Sequence, residues 1–273
     1  MLTAGINVPP IIDVHTHLLP ERLSAAIRTF FNEEITGALK YPYEPTAARA
    51  ALITAGVTRC WSLPYVRRAG SASALNRWMA ETFGDDSVVI PGATVHPTDD
   101  VDAVLDEAFG ELALCVVKLH CSVGNFEADD PRLEPLWRRV SASGQPVVVH
   151  AGHSIDGTTS APEIEPIARV AQRWPEARIV VAHCGAPAVD ATLALLRSSR
   201  SVFADLTPVV TAHVSLDKQA LAGLERRLLF GSDAPNVSIA IETLIDRIRA
   251  LDLDASDEVA ILGGNAERLL ARG

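Results

Sequence analysis

Four histidines and one aspartate stand at or near the ends of short apolar runs that are far apart in this chain. They are His15, His17, His150, His183 and Asp233. Side chains alternate along a strand, so Asp13, His15 and His17 are expected on one face of the first run. Imidazole nitrogens and a carboxylate oxygen are ligands that Zn²⁺ and similar divalent ions accept. The pattern indicates a metal site, provided that the fold brings the ends of these runs together.

Eight apolar, β-branched runs are predicted to be strands. They cover residues 11–17, 57–64, 88–95, 115–120, 146–152, 178–185, 202–207 and 228–235. Helical patterns lie between and after them, including 99–113, 131–143, 162–174, 187–199, 238–251 and 256–270. Successive strand ends are 24 to 47 residues apart. Each gap holds a helix and none is a hairpin, so the strands are expected to be parallel.

This order predicts an α/β protein, a (β/α)₈ barrel that forms a single domain over residues 1–273. The competing fold is a doubly wound open sheet, which commonly has a glycine-rich turn after its first strand. The first run here continues without glycine into Thr16, His17 and Leu18. Strand ends of a barrel converge on one rim, where active sites lie. An inserted segment, about residues 20–43, follows the first strand and is expected to be either a lid or a surface decoration.

Seven motifs occur in order between residues 13 and 270: DVHTHLLP, VVKLH, DDPRLEPLW, VVVHAG, VVAHCG, LFGSDAP and ILGGNAERLL. Together they resemble the amidohydrolase superfamily, most closely its amidohydrolase-related (amidohydrolase 2) branch, which includes decarboxylases and lactonases. The resemblance implies that His15, His17, His150 and Asp233 bind one divalent ion. It also implies that His183 is catalytic or orients water, or binds a second ion as in two-metal relatives.

A divalent ion with these ligands keeps positive charge and lowers the pKa of a coordinated water toward neutrality. Asp233 is then expected to accept the proton of this water and to deliver it to the leaving group. His183 would stabilise the oxyanion or orient the nucleophile. Asp13 is expected to orient His15, or else to be a buried acid that accepts a backbone hydrogen bond. The ion is expected to be Zn²⁺, with Mn²⁺ as the alternative.

The resemblance places Lys118 where two-metal relatives carry a carboxylated, bridging lysine, although single-metal relatives also have a lysine there. We expect one ion rather than a second one bound through Lys118 and His183. An unmodified lysine inside a barrel needs a partner such as Asp13 or Asp233. The predicted substrate contacts are Lys118, His120 and His153.

The composition limits the classes of partner. With 24 Lys and Arg against 34 Asp and Glu, the net charge is −10, and without a basic stripe nucleic-acid binding is not expected. No apolar run approaches the roughly 20 residues of a membrane helix. The four cysteines form no CxxC pair, which favours reduced thiols in the cytoplasm. The expected partner is a small-molecule substrate, and a homodimer is common among such barrels.

Three functions follow from these features. The first is hydrolysis of a small ester, lactone or amide by a metal-activated water. The second is non-oxidative decarboxylation of a small carboxylic acid, in which Asp233 or His183 manages the proton. The third is a barrel that has lost catalysis and only binds a ligand. The intact set of five residues favours an enzyme, because an inactive barrel would be expected to lose at least one of them.

Overall fold

A computed structural model describes residues 9–29, 39–152, 163–207 and 216–271. The predicted substrate contact His153 lies outside the described residues. The strands are β1 (Ile12–Thr16), β2 (Arg59–Ser62), β3 (Val89–Pro91), β4 (Ala93–Thr94), β5 (Val117–Leu119), β6 (Val147–Val149), β7 (Ile179–Val181), β8 (Val202–Asp205) and β9 (Leu228–Leu229). Each predicted run contains a strand, and the third run contains two, β3 and β4, on either side of Gly92.

Neighbouring strands are parallel and follow one another in chain order. They form two ladders, β1-β2-β3 and β4 to β9. Among the described strands, no regular pairing joins β1 to β9. Instead, Val14 N donates to the Phe230 carbonyl oxygen at 2.9 Å, and Thr16 forms a β-bridge with Ala234. The first strand therefore meets the segment after the last, and the fold is the predicted (β/α)₈ barrel.

Helices surround the strands. They are α1 (Glu21–Arg28), α2 (Pro45–Thr54), α3 (Ala72–Phe83), α4 (Val101–Asp106), α5 (Cys121–Gly124), α6 (Glu134–Ser143), α7 (Ile164–Arg173), α8 (Val189–Ser198), α9 (Lys218–Leu221), α10 (Ile241–Arg249), α11 (Ala255–Val259) and α12 (Asn265–Leu270). Two π-helical turns, Glu107–Glu111 and Ala260–Gly264, interrupt the predicted helices over 99–113 and 256–270. Over the described ranges, no helix has the length and apolar composition needed to cross a bilayer.

The strands separate two apolar clusters. The outer cluster packs the strands against the helices, with strand residues such as Val117 and Val147. The inner cluster fills the barrel with alternate residues such as Val116 and Val148, and it includes Leu269 of α12. Helix α12 therefore packs against the barrel interior from the end at which the strands begin, opposite the predicted site.

Strand β1 departs from the regular alternation that the sequence predicts. Asp13 pairs with Cys60 and Thr16 pairs with Ser62, so an advance of three residues along β1 lies opposite an advance of two along β2. Strand β1 therefore carries an extra residue, as in a β-bulge.

Ile12 and Val14 pack in the inner cluster, so Asp13 between them faces the other side of the strand. His15 also points into the barrel, where it contacts Lys118. The prediction that Asp13 and His15 share a face is therefore wrong.

The inserted segment is fastened to the loop that follows β9. Arg28 of α1 donates to the carbonyl oxygen of Pro235 at 3.2 Å and also to that of Tyr41. The Tyr41 hydroxyl accepts a hydrogen bond from Ile241 N at 2.7 Å. Both described ends of the insertion therefore pack beside the loop that carries Asp233. Residues 30–38 lie outside the described residues, so a lid remains a prediction.

Candidate active site

The predicted site residues lie at the carboxyl ends of the strands. His17 and His150 directly follow β1 and β6. His183 is two residues beyond β7 and has a φ of 56°, and Asp233, in the loop after β9, has a φ of 65°. These left-handed conformations cost a non-glycine residue about 1–3 kcal/mol. Strands β7 and β9 end earlier than the sequence predicts, and both residues lie in the loops beyond these ends.

His15, His17 and Asp233 bring three ligand atoms within 4.8 Å of one another. Asp233 Oδ1 is 3.1 Å from His17 Nε2 and 3.8 Å from His15 Nε2. Two ligands that each lie about 2.1 Å from a tetrahedral zinc ion are about 3.4 Å apart. The two distances bracket this separation, so the residues fit a divalent ion.

An acceptor fixes the second ring nitrogen of each of these histidines. His17 Nδ1 is 2.7 Å from the Leu63 carbonyl oxygen. A carbonyl can only accept, so Nδ1 carries the proton, and a neutral ring keeps its lone pair on Nε2. His15 Nδ1 is 2.9 Å from Asp205 Oδ2 and donates to this carboxylate for the same reason. Such outer partners set the tautomer and orientation of metal-binding histidines.

Asp205, the last residue of β8, is a functional residue that sequence reasoning missed. Its buried carboxylate also accepts hydrogen bonds from the backbone N–H groups of His183, at 2.9 Å, and Thr207, at 3.2 Å. Burial opposes ionisation, but the adjacent His15 holds the pKa of Asp205 well below its usual range. The feature of the sequence that indicates Asp205 is an acidic residue at the end of the apolar run VFAD.

A second group of possible ligands, His15, His183 and Asp205, is explained by these hydrogen bonds. Both oxygens of Asp205 already accept N–H donors, one from the His15 ring and one from the backbone of His183. The carboxylate is therefore an orienting group for His15 rather than a free ligand. This arrangement gives no support to a second ion.

Asp13 does not orient the ring of His15, contrary to the first expectation. Its Oδ1 accepts hydrogen bonds from the backbone N–H groups of His15, at 3.1 Å, and Ser232, at 3.0 Å. This is the buried-acid alternative stated above. Burial raises the pKa of Asp13 to about 7, although the bonds with Ser232 and His15 act to lower it. Asp13 therefore ties β1 to the segment that carries Asp233.

His120 and His150 form a stacked pair, with ring centroids 3.9 Å apart and planes 17° apart. His183 packs edge-on against His150 at 5.0 Å, and Tyr65 lies 4.7 Å from His120. Among the described residues, His150 Nε2 is buried without a hydrogen-bond partner. A buried ring nitrogen without a hydrogen-bond partner suits a ligand atom. His150 is outside the three-residue group, so its role as a metal ligand remains a prediction.

Burial keeps the imidazoles of His15, His120 and His150 neutral. It lowers the pKa of His15 to about 3 and the pKa values of His120 and His150 well below 6.5. Burial alone would raise the pKa of Asp233, but the adjacent imidazoles of His17 and His15 favour its ionised form and bring the pKa to about 2. His15 and Asp233 thus have the protonation states that metal binding requires, a neutral imidazole and an ionised carboxylate.

Lys118 is fully buried, and its Nζ is 3.2 Å from His15 Nε2. In the described part of the chain no carboxylate oxygen lies within 4.0 Å of Nζ, so the predicted ion pair with Asp13 or Asp233 is absent. Burial lowers the pKa of Lys118 to about 8, while the charges of Asp205 and Asp233 act in the opposite direction. The ammonium donates to the lone pair that a metal would take, so a bound ion has to replace it there.

A family profile that covers nearly the whole sequence identifies the protein family. The profile of the amidohydrolase-2 family, described as Amidohydrolase, matches residues 12–272. This chain belongs to the amidohydrolase family. Membership makes it an enzyme of the amidohydrolase superfamily. None of the curated proteins compared with this amidohydrolase matches its sequence.

Solved structures resemble this amidohydrolase over nearly its whole length. An uncharacterized TIM-barrel protein from Bordetella bronchiseptica has a TM-score of 0.78 at 20% identity, covering 96% of this chain and 98% of that chain. The 5-carboxyvanillate decarboxylase from Sphingomonas paucimobilis has a TM-score of 0.71 at 14% identity, covering 97% and 100%. The 4-oxalomesaconate hydratase from Rhodopseudomonas palustris has a TM-score of 0.60 at 16% identity, covering 95% of each chain. These likenesses show the fold and leave the reaction open.

Proposed function

We propose that this amidohydrolase hydrolyses a small ester, lactone or amide at a divalent metal site formed by His15, His17 and Asp233. The convergence of two imidazole nitrogens and one carboxylate oxygen within 4.8 Å supports the proposal. His150 is proposed as a further ligand because of its unpartnered Nε2. Zn²⁺ accepts this donor set, with Mn²⁺ as the alternative. A bound divalent ion supplies Lewis acidity and makes hydroxide accessible near neutral pH.

Asp233 is the proposed general base. Its side chain is 24% exposed, which lets water reach the carboxylate, and its pKa of about 2 keeps it ionised at neutral pH. It accepts a proton from the attacking water and returns it to the leaving group. Its Oδ1 lies 3.1 Å from His17 Nε2, so the carboxylate stands beside the ion that His17 would bind.

The surrounding side chains are proposed to bind the substrate. His183, with its ring centroid 4.8 Å from that of His15, is placed to orient the nucleophile or to stabilise an oxyanion. Lys118 remains largely protonated at neutral pH because its pKa is about 8, so it stabilises negative charge that develops beside His15. His120 and Tyr65, packed together at 4.7 Å, form the adjacent wall.

Decarboxylation of a small carboxylic acid is the second candidate. Two similar structures, 5-carboxyvanillate decarboxylase and 2,6-dihydroxybenzoate decarboxylase, have that activity in their names. The buried ammonium of Lys118 would attract the carboxylate of such a substrate. The product separates the two reactions, because only decarboxylation releases carbon dioxide.

The test begins with metal analysis of the purified protein, followed by reconstitution with Zn²⁺ or Mn²⁺. Esters, lactones, amides and aromatic carboxylic acids are then screened for acid formation and for carbon dioxide. Turnover should be lost in Asp233→Asn with most of the metal retained, and kept in Asp217→Asn, a change at the exposed cap of α9. A protein that takes up neither ion and turns over none of these compounds would support a binding barrel instead. A homodimer and a cytoplasmic location are further proposals, which sedimentation and fractionation test.

A further inference from the structure

A cleft of about 460 Å³ lies at the opposite end of the barrel from the histidines. Its lining includes residues that directly precede β7 and β9, together with one face of α12. Four of its seven lining residues are arginines: Arg178, Arg226, Arg227 and Arg268. This concentration of positive charge occurs in a chain whose net charge is −10. Its size falls in the range of small-molecule pockets, about 300–1,000 Å³.

Two of these arginines hold the walls of the cleft. Arg178 donates to the carbonyl oxygens of Leu269, at 2.8 Å, and Ala271, at 3.2 Å, and so secures the end of α12. Arg227 donates to the carbonyl oxygen of Ser199 at 2.6 Å and also to that of Leu196. These contacts fix two guanidinium groups whose charges no carboxylate offsets within 4.0 Å among the described residues.

The other two arginines are exposed and keep donors for a ligand. Arg226 has one ionic partner in the described residues, Asp257 at 3.4 Å. Arg268 donates through one nitrogen to the side-chain oxygen of Asn265. A guanidinium has five N–H donors, so both groups have unused capacity that faces the cleft.

Charge and packing around the cleft suit an anion that carries an organic group. Burial and the neighbouring Arg200 lower the pKa of Arg227, which indicates repulsion between positive charges there. Phe203 and Leu269 add apolar surface between the arginines. Asn265 is 1% exposed and donates to the carbonyl oxygens of Glu225 and Leu228, which fixes its side chain in the lining of the cleft.

We propose that this cleft binds a small phosphate-bearing molecule, with Arg226 and Arg268 contacting the phosphate and Phe203 contacting the rest of the ligand. Arginines that approach from different elements can share the several oxygens of a phosphate, whose charge their forked donors match. The proposal is independent of the metal site, because the two sites lie at opposite ends of the strands.

Calorimetric titration of the full-length protein with inorganic pyrophosphate and with adenosine monophosphate tests the proposal. We expect saturable 1:1 binding that weakens at higher salt. The variant Arg226→Gln/Arg268→Gln should weaken binding at least tenfold, because it removes two charged contacts but keeps Arg178 and Arg227. The control variant is Arg77→Gln/Arg173→Gln, which removes the same charge from exposed arginines elsewhere. It should bind like the parent.

The proposal is overturned by no saturable binding, by equal weakening in both variants, or by binding of citrate as tightly as pyrophosphate. Pyrophosphate bound at the metal site would persist in Arg226→Gln/Arg268→Gln and would therefore also count against it. Sedimentation of parent and variants completes the test. A dimer that dissociates only in Arg226→Gln/Arg268→Gln would show that the cleft is an interface between copies of the chain.

Discussion

The substitution Asp205→Asn tests how the metal site is oriented. An asparagine can still accept the backbone hydrogen bonds of His183 and Thr207 through its oxygen. Its NH₂ group then faces His15 Nδ1, which in the parent donates to Asp205 Oδ2 at 2.9 Å. Two donors cannot pair, so His15 has to move its proton to Nε2, the atom offered to the metal. We expect Asp205→Asn to lose metal affinity while the ligand residues all remain.

The magnitude follows from the one bond that changes. A hydrogen bond to a charged group contributes about 1.5–3 kcal/mol, which is the expected loss in free energy of unfolding for the metal-free variant. Loss of the outer partner of a metal-bound histidine typically costs about 10–100-fold in metal affinity. Because the folded pKa of Asp205 is depressed, its stabilisation is complete above its unfolded pKa of about 4 and is lost on further acidification. The difference between parent and variant should therefore shrink below pH ~4.

Two measurements check this prediction. Competition with a chromophoric chelator gives the Zn²⁺ affinity, and urea unfolding in excess chelator, from pH 3 to 8, gives the stability. Asp100→Asn is the matched control, because Asp100 is an exposed helix cap that accepts from Ala103 N and asparagine caps equally well. Unchanged zinc affinity in Asp205→Asn would refute the argument that Asp205 sets the His15 tautomer.

Three further predictions concern the same end of the barrel. Asp233→Asn should lower kcat about 10²–10⁴-fold through loss of the general base, with an unchanged circular dichroism spectrum. In the metal-free parent, the free energy of unfolding should rise by about 3 kcal/mol between pH 8 and 10.5. Over this range Lys118 has lost its proton in the folded state, where its pKa is near 8, but keeps it in the unfolded state. Urea unfolding of Lys118→Met should lack this rise. Gly231→Ala should destabilise by about 1–3 kcal/mol, because its Cβ would collide with Thr207 Oγ1 and lie 2.9 Å from His15 Cβ.

The controls for these predictions make the same chemical change at positions away from the candidate site. Gly110→Ala has no atom within 4 Å of the added Cβ and should leave the urea midpoint nearly unchanged. Lys218→Met removes an exposed lysine and should keep the alkaline rise in stability. An equal rise in Lys118→Met and parent would show that Lys118 is not the titrating group, and full activity in Asp233→Asn would exclude it as the base.

Much of the fold was readable because each buried strand forms a nearly continuous apolar run. The runs around Val147–Val149 and Ile179–Val181 predicted strands directly, and their spacing predicted parallel pairing. The ends of strands were less predictable. At His183 and Asp233 the chain adopts left-handed conformations that depend on contacts with other strands, and no local pattern in the sequence specifies those contacts.

The sequence predicts which residues form the candidate site better than it predicts their hydrogen-bond partners. His15, His17 and Asp233 do converge, as the barrel topology required. Strict alternation along β1 predicts Asp13 as the partner of His15, but the extra residue in β1 breaks this alternation. Asp205 replaces it from a strand 190 residues away, and a contact of that kind follows from tertiary packing alone. Lys118 likewise pairs with an imidazole rather than with an acid.

The hydrogen bonds from Arg28 and Tyr41 to the segment around Pro235 and Ile241 join two parts of the chain that are 200 residues apart. The two described ends of the insertion and the loop after β9 are therefore held together beside Asp233. A loop grafted from another barrel in place of the one after β9 therefore has to be accompanied by a matching insertion. Grafting either piece alone would leave Ile241 N without its acceptor and the guanidinium of Arg28 without one of its carbonyl partners.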